Sequence, residues 1–560
     1  MKTLRYLKTL VFCIVFVALF SGAAFAAVPL MPVEELVPGM RGIAKTVIIG
    51  DTIESFDIEI LGVTGNEASG YSILVKAGGE LLERSGGIAQ GMSGSPVYID
   101  GRLVGAVAFG RTFTDPHYCF LTPIEQMLKL THSSVARPSE FLPKNTPLMA
   151  DGFTRDGLEY LNELLAGQGL QAIGVGGSGS FSSTKELQPG SALGVSLVRG
   201  DVRIGSIGTV TWVGDDGELL AFGHPFMQRG DSNYFLDKAW IIASVPNLQS
   251  AFKVGNLGET VGTVVQDRSA GIAGKLGPGP KIIPLYVSVT DASRGVNGSS
   301  RVEIIEDDLL FPLMINAVTF NTTARVVDRN GGGTARFNFR IDGMGAKGEP
   351  IKIERENMYY ADTGLLKMLN TELVEAGTLL TKNKFEKIDI YGVNVDIVFD
   401  DKAEVAEIIG VKPLQQELKA GETLEIDVDL QPFRAEKLTK RVKFVVPKQQ
   451  QPGKMSLTVR GGSSLAWIQN LLRKQQEEGL PVAKQEQTKR TLKDFVDRIN
   501  NADQNNELIV DLAAGPAGAA VNPEAAGSFG AMLEGSPAKQ KTKVNFIVDG
   551  TKDIVVRVVK

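Results

Sequence analysis

Cysteine is almost absent from this chain: two residues in 560, Cys13 and Cys119. Cys13 falls inside an N-terminal apolar stretch, which leaves one thiol and excludes an intramolecular disulfide from the rest. Histidine is as scarce, with only His117, His132 and His224. One thiol and three imidazoles do not make a zinc-ligand spacing, so neither metal nor cofactor is expected. Aromatic residues reach 7%, and beyond the N-terminus no apolar run is long enough to span a bilayer as a helix. Positive charge is not in excess either. The formal net charge is −5, and the only charges in the first 26 residues are Lys2, Arg5 and Lys8, so the remainder carries −8. A mildly acidic body gives no electrostatic footprint for nucleic acid. Glycine, by contrast, is abundant at 63 residues, against a usual ~7%. Many tight turns follow, and with them a mainly β architecture.

The N-terminus has the three-part layout of a secretory signal. A basic start leads into an apolar core over residues 10–20, then into small residues ending Ala24-Phe25-Ala26. Cleavage after Ala26 is expected, with export to the periplasm or the outside of a bacterial cell envelope and no membrane span in the mature chain.

The rest divides by pattern. Residues 30–135 alternate as short strands between Gly and Asp turns, and 136–189 hold a Pro- and Ser-containing linker and an amphipathic helix. A second β-rich block covers 190–345, and helical periodicity returns over 346–384. The period-two segments of 385–460 read as a sandwich-like accessory domain, since Val393, Val395 and Ile397, then Leu424, Ile426, Val428 and Leu430, fall on one face each. Residues 461–560 hold two helices, a Gly/Ala-rich stretch and terminal strands.

Two segments carry chemistry. In the first, Gly91-Met92-Ser93-Gly94-Ser95-Pro96 runs into the strand Val97-Tyr98-Ile99, the turn Asp100-Gly101 and the strand Arg102 to Val107. An Asp-Gly pair between apolar runs signals a hairpin. It sets Ser93 on a glycine turn at the head of a core strand, where a hydroxyl is exposed on a rigid support. The backbone N–H groups of Gly91 and Ser93 can then face a developing oxyanion. In the second segment, strands flanking Gly214-Asp215-Asp216-Gly217 deliver Gly223-His224-Pro225. His224 is the candidate general base. His117, beside Cys119, offers a thiol–imidazole pairing, but residues two apart on a strand share a face without meeting, and no glycine loop presents Cys119.

The serine segment resembles the nucleophile loop of chymotrypsin-like serine proteases. The longer string from Leu81 to Val107, with Phe120-Leu121-Thr122-Pro123-Ile124 as return strand, resembles the SpoIVB peptidase family, as does the stretch from Gly208-Thr209 to Gly223-His224. The resemblance implies chymotrypsin-like β-barrel halves and a serine endopeptidase acting on polypeptides through an acyl-enzyme. It also implies a His segment before the Ser segment, an acid just upstream of the serine, and a preceding PDZ-like segment. Here the order is reversed, Gly78 stands at the acid's position, and no PDZ-like segment is found. Asp267, 43 residues after His224, is the candidate third member, with Asp231, Asp237 and Glu80 as alternatives. Gly78 also leaves open a second function: an inactive protease-like barrel that binds a partner protein in the envelope.

Overall fold

The computed structural model describes residues 28–67, 70–110, 115–131, 147–175, 183–247, 251–329, 331–462, 491–512 and 539–560. The expected signal, the helix read at 465–476 and the Gly/Ala-rich stretch lie outside these. The chain forms two compact units, one of Met1–Gly152, Leu165–Leu197 and Arg203–Lys281, the other of Phe153–Leu164, Val198–Val202 and Ile282–Lys560.

In the first unit, β1 (Arg41–Thr46), β2 (Glu54–Asn66), β3 (Gly70–Gly78), β4 (Pro96–Ile99), β5 (Arg102–Phe109) and β6 (Tyr118–Pro123) close into a barrel. Its strand order is β1-β2-β3-β6-β5-β4. Alternation builds the core directly: Phe56, Ile58 and Ile60 of β2 and Ile73, Val75 and Ala77 of β3 are buried, and their neighbours in sequence face outward or sit half-exposed. Cys119 lies in this core, a small buried thiol rather than a presented nucleophile.

Strands β7 (Leu148–Asp151) and β8 (Ala172–Val175) precede a second set: β9 (Ala192–Gly200), β10 (Arg203–Val213), β11 (Glu218–Ala221), β12 (Gly230–Val245), β13 (Phe252–Arg268) and β14 (Gly271–Leu276). Their order is β9-β12-β13-β14-β11-β10, and β10 pairs back to β9, making a ring of six. Numbered from its own first strand, this ring repeats the order of the first barrel. The β3–β4 connection carries Ser93, and the β11–β12 connection, the third to the fourth strand of the second ring, carries His224. Serine and histidine thus occupy the same topological position in two like barrels.

The second unit contains a sheet ordered β18-β17-β19-β15-β16, from β15 (Ile282–Asp291), β16 (Val296–Ile305), β17 (Gly333–Met344), β18 (Pro350–Ala361) and β19 (Asp389–Asp400). The helix Leu310–Val327 packs on it, buried on nearly every side. Two further sheets share one core. They are β23-β22-β20-β27 and β21-β28-β24-β25-β26, built from β20 (Val405–Pro413), β21 (Glu417–Lys419), β22 (Thr423–Pro432), β23 (Leu438–Val445), β24 (Gly453–Gly461), β25 (Glu507–Leu512), β26 (Gln540–Lys543), β27 (Ile547–Asp549) and β28 (Thr551–Val559). The sandwich read at 385–460 therefore has different bounds. Strand β19 pairs with β15 and β17 instead, and the two sheets are completed by strands from the C-terminus. The whole is mainly β, with chymotrypsin-like barrels, as the composition and the serine motif imply.

Candidate active site

The turn bearing Ser93 is fixed through its carbonyls. Gln90 N–H donates to the Ala251 carbonyl at 2.7 Å, and the Gln90 carbonyl accepts from Lys253 N–H at 2.9 Å. That second bond sets the plane of the Gln90–Gly91 peptide. Because a trans peptide points its C=O and N–H in opposite directions, Gly91 N–H is turned away from Lys253. The Met92–Ser93 peptide is held in the same manner: the Met92 carbonyl accepts from Ser95 N–H at 3.0 Å and from Ser95 Oγ at 2.6 Å. Among the described residues, neither Gly91 N–H nor Ser93 N–H donates to any acceptor. Both residues are buried. Buried backbone donors are rarely left without a partner, so two of them, two residues apart, could together accept an anion. Gly91 and Gly94 both have φ +92°, a conformation open to glycine at no cost.

Strand β10 of the second barrel staples this turn. Thr209 N–H donates to the Ser93 carbonyl at 2.8 Å. Thr209 Oγ1 donates to the Gly91 carbonyl at 3.0 Å, and Thr211 Oγ1 to the Gly94 carbonyl at 2.7 Å. A Cβ on Gly94 would lie 2.0 Å from Thr209 O and 2.5 Å from Phe222 N, so only glycine permits the two barrels to approach here. The hairpin that grips the serine turn then leads into His224. Phe222, fully buried, has φ +69°, an uncommon conformation for a bulky residue that surrounding structure must enforce. Its ring fills the place a Cβ of Gly208 would take. Thr122 Oγ1 of β6 clamps the Gly223 carbonyl at 2.5 Å.

His224 is 2% exposed, against the Phe222 ring at 5.8 Å between centroids. Its Nδ1 lies 2.7 Å from the Pro225 carbonyl. A carbonyl can only accept, so Nδ1 carries the proton and Nε2 the basic lone pair, the tautomer a general base needs. Burial lowers the imidazole pKa from its ordinary value to about 4, with the Pro225 bond opposing in part, so the ring is neutral at physiological pH. Ser93 is also 2% exposed. No hydrogen bond joins Ser93 Oγ to the His224 ring.

Asp267, expected to orient His224, does not bond the ring. The carboxylate is fully buried at the end of β13, and its oxygens accept from Phe226 N–H and Met227 N–H at 2.7 Å each and from Arg229 N–H at 3.4 Å. It lies at the end of the fifth strand of the barrel that carries His224, just before the connection to the sixth. Burial raises its pKa and these backbone bonds work against that rise. The neighbouring Arg268 bonds Asp231 at 2.8 Å and Gln266 at 2.6 Å rather than Asp267. Asp231 is thereby an exposed ion-pair partner. Asp237 accepts from Ser196 Oγ and, at 2.6 Å, from Thr260 Oγ1, and Glu80 opens the helix Glu80–Ser85. Among the described residues, Asp231 and Glu80 make no hydrogen bond to the His224 ring. His117 bonds Asp115 through Nδ1 at 2.8 Å, and His132 lies outside the described residues.

Lys253 and the hydroxyls around it escaped the sequence reading. Lys253 is 1% exposed, and its Nζ donates to Thr46 Oγ1 at 2.9 Å and Thr209 Oγ1 at 3.5 Å. A signal was available, because Lys253 falls in phase with the buried Gly255 and Leu257 of β13, on the inward side of a period-two strand.

Residues 26–128 match the SpoIVB peptidase S55 family. The matched stretch covers the first barrel and Ser93, and supports a serine peptidase family of the SpoIVB kind for it; His224 and Asp267 lie outside. No curated protein and no solved structure matches the chain.

Proposed function

We propose that this chain is an exported serine endopeptidase in which Ser93 attacks a peptide carbonyl. His224 Nε2 accepts the serine proton and then passes it to the leaving amine, while the N–H groups of Gly91 and Ser93 bind the oxyanion. The observation that carries the reading is the pair of buried N–H donors without acceptors, on peptide planes locked through their carbonyls. A turn that merely joined two strands would have satisfied them. The Pro225 carbonyl takes over the tautomer-setting half of the work usually given to a carboxylate. It supplies no charge to stabilise an imidazolium, so turnover slower than that of a full triad follows; the loss of the carboxylate costs about 10⁴-fold in a well-studied protease. The polypeptide substrate, on the strength of the family match, and the location in the cell envelope, on that of the N-terminal sequence, belong to the same proposal.

One observation favours the alternative, a binding scaffold without catalysis: Ser93 Oγ makes no hydrogen bond to His224, and Asp267 is committed to a turn. A fluorophosphonate probe separates the two. The mature protein should be labelled at Ser93, and Ser93→Ala should abolish the label. Absent labelling, or labelling unchanged by the substitution, would remove the peptidase reading.

A further inference from the structure

A lysine buried without a carboxylate is costly, since burial penalises its charged form and hydroxyls compensate only in part. Lys253 is such a residue: Thr46 and Thr209 are its side-chain hydrogen-bond partners, and among the described residues no ion pair engages its Nζ. Burial alone brings its pKa down from 10.5 to about 7. No charged group from β1, β10, the ladder partner β12 or the serine turn contributes to that shift. Such a residue calls for a compensating use.

Its surroundings supply one. The main-chain N–H of Lys253 donates to the Gln90 carbonyl. Its Nζ donates to Thr209 Oγ1, whose own proton is committed to the Gly91 carbonyl. The two carbonyls belong to the peptide groups on either side of the Gly91 α-carbon, and the first of them carries the free Gly91 N–H. The aliphatic stem lies along the same residue, because a Cβ on Gly91 would stand 3.0–3.3 Å from Cδ, Cβ and Cγ of Lys253. The far end is anchored on Thr46 of β1, in the serine barrel. One side chain therefore leaves β13 of the second barrel, passes along Gly91, and ends in an Nζ that bonds both a first-barrel hydroxyl and the hydroxyl that staples the turn.

We propose that Lys253 is a positioning residue for the anion cradle, holding both peptide groups around Gly91 through its main-chain N–H and, by way of Thr209, through its side chain. The ammonium polarises the Thr209 hydroxyl, and the chain of donors strengthens along its length. This inference rests on the cradle reading of Gly91 and Ser93, but its test does not depend on turnover.

The test is amide hydrogen exchange of the segment 86–96 in the full mature chain, for wild type, Lys253→Met, Thr209→Val and the double variant. Met keeps the stem and removes the donors; Val keeps the shape and removes the relay. Each single variant should speed exchange of this segment tenfold or more while the strands of the first barrel keep their protection. The double variant should be no faster than the singles, because the two residues act in series. If Lys253→Met does not fold, Lys253→Gln, which keeps a polar end but cannot carry the charge, takes its place in the same comparison. Unchanged exchange in the folded variants, or additive effects in the double variant, would overturn the proposal. If wild type is labelled by fluorophosphonate, the labelling rate should fall tenfold or more in both single variants, with a reduced dependence on pH near 7. If wild type is not labelled, the peptidase reading fails, and the exchange data still decide the role of Lys253.

Discussion

In the proposed mechanism His224 serves as base without an acid bonded to its ring. A main-chain carbonyl one residue on fixes the tautomer, and burial keeps the ring neutral. The price is basicity and acid stability. The folded-state pKa of about 4 lies below the unfolded value of 6.5, so between these values the folded protein binds fewer protons than the unfolded chain. Stability is therefore complete above pH 6.5 and is lost as pH falls toward 4. A difference of this size corresponds to about 3 kcal/mol. Denaturant midpoints measured from pH 7 to pH 4 should fall for wild type, and fall distinctly less for His224→Phe. Equal slopes would show that the ring is not buried neutral. The same titration sets the acid limb of Ser93 labelling, expected well below pH 6.

At the scale of elements, the connections between strands matter more than the strands. Asp267 organises the turn after His224 by accepting from three N–H groups of residues 226–229. Asp267→Asn would put an amide donor where an oxygen now accepts, leaving a buried N–H facing N–H. A loss of stability of about 1–3 kcal/mol is expected, read as a lower melting temperature, with His224 displaced as the turn loosens. A variant with wild-type stability and lost labelling would instead return Asp267 to the ring-orienting role. This is also where sequence and structure part company. Glycine spacing and an Asp-Gly turn made the serine loop legible, and the Gly-Asp-Asp-Gly turn did the same for the hairpin ending at His224. The partner of an imidazole Nδ1 is a matter of ring orientation, which no spacing encodes, and a proline carbonyl leaves no mark in sequence. Lys253 was hidden for another reason. Its partners Thr46, Gly91 and Thr209 come from three distant segments, and a lysine in a strand ordinarily reads as solvent-facing.

For the whole molecule, two barrels with one strand order put serine and histidine in equivalent connections, so a reversed order of motifs places them no differently in the topology. Chain order matters little when the two halves are topological copies. The C-terminal sandwich follows a different logic. Period two correctly marked β22, whose Leu424, Ile426, Val428 and Leu430 all face the core. It could not reveal that the sheets are completed by strands from the chain's last twenty residues. Strand β28 lies between β21 and β24 in its sheet and buries Ile554, Val556 and Val558, while β27 pairs in parallel with β20. Removing it would strip two neighbours of their ladder bonds and open the core, at about 1.5–3 kcal/mol for each large apolar side chain lost. A chain ending at Leu512 should therefore lose the sandwich as a unit. Limited proteolysis should cut within 405–461 at protease levels that leave the full chain intact, while the segment around Ser93 stays protected. Continued resistance of 405–461 in the truncated chain would mean that the sandwich folds without its C-terminal strands, and that the narrower domain read from sequence is the autonomous one.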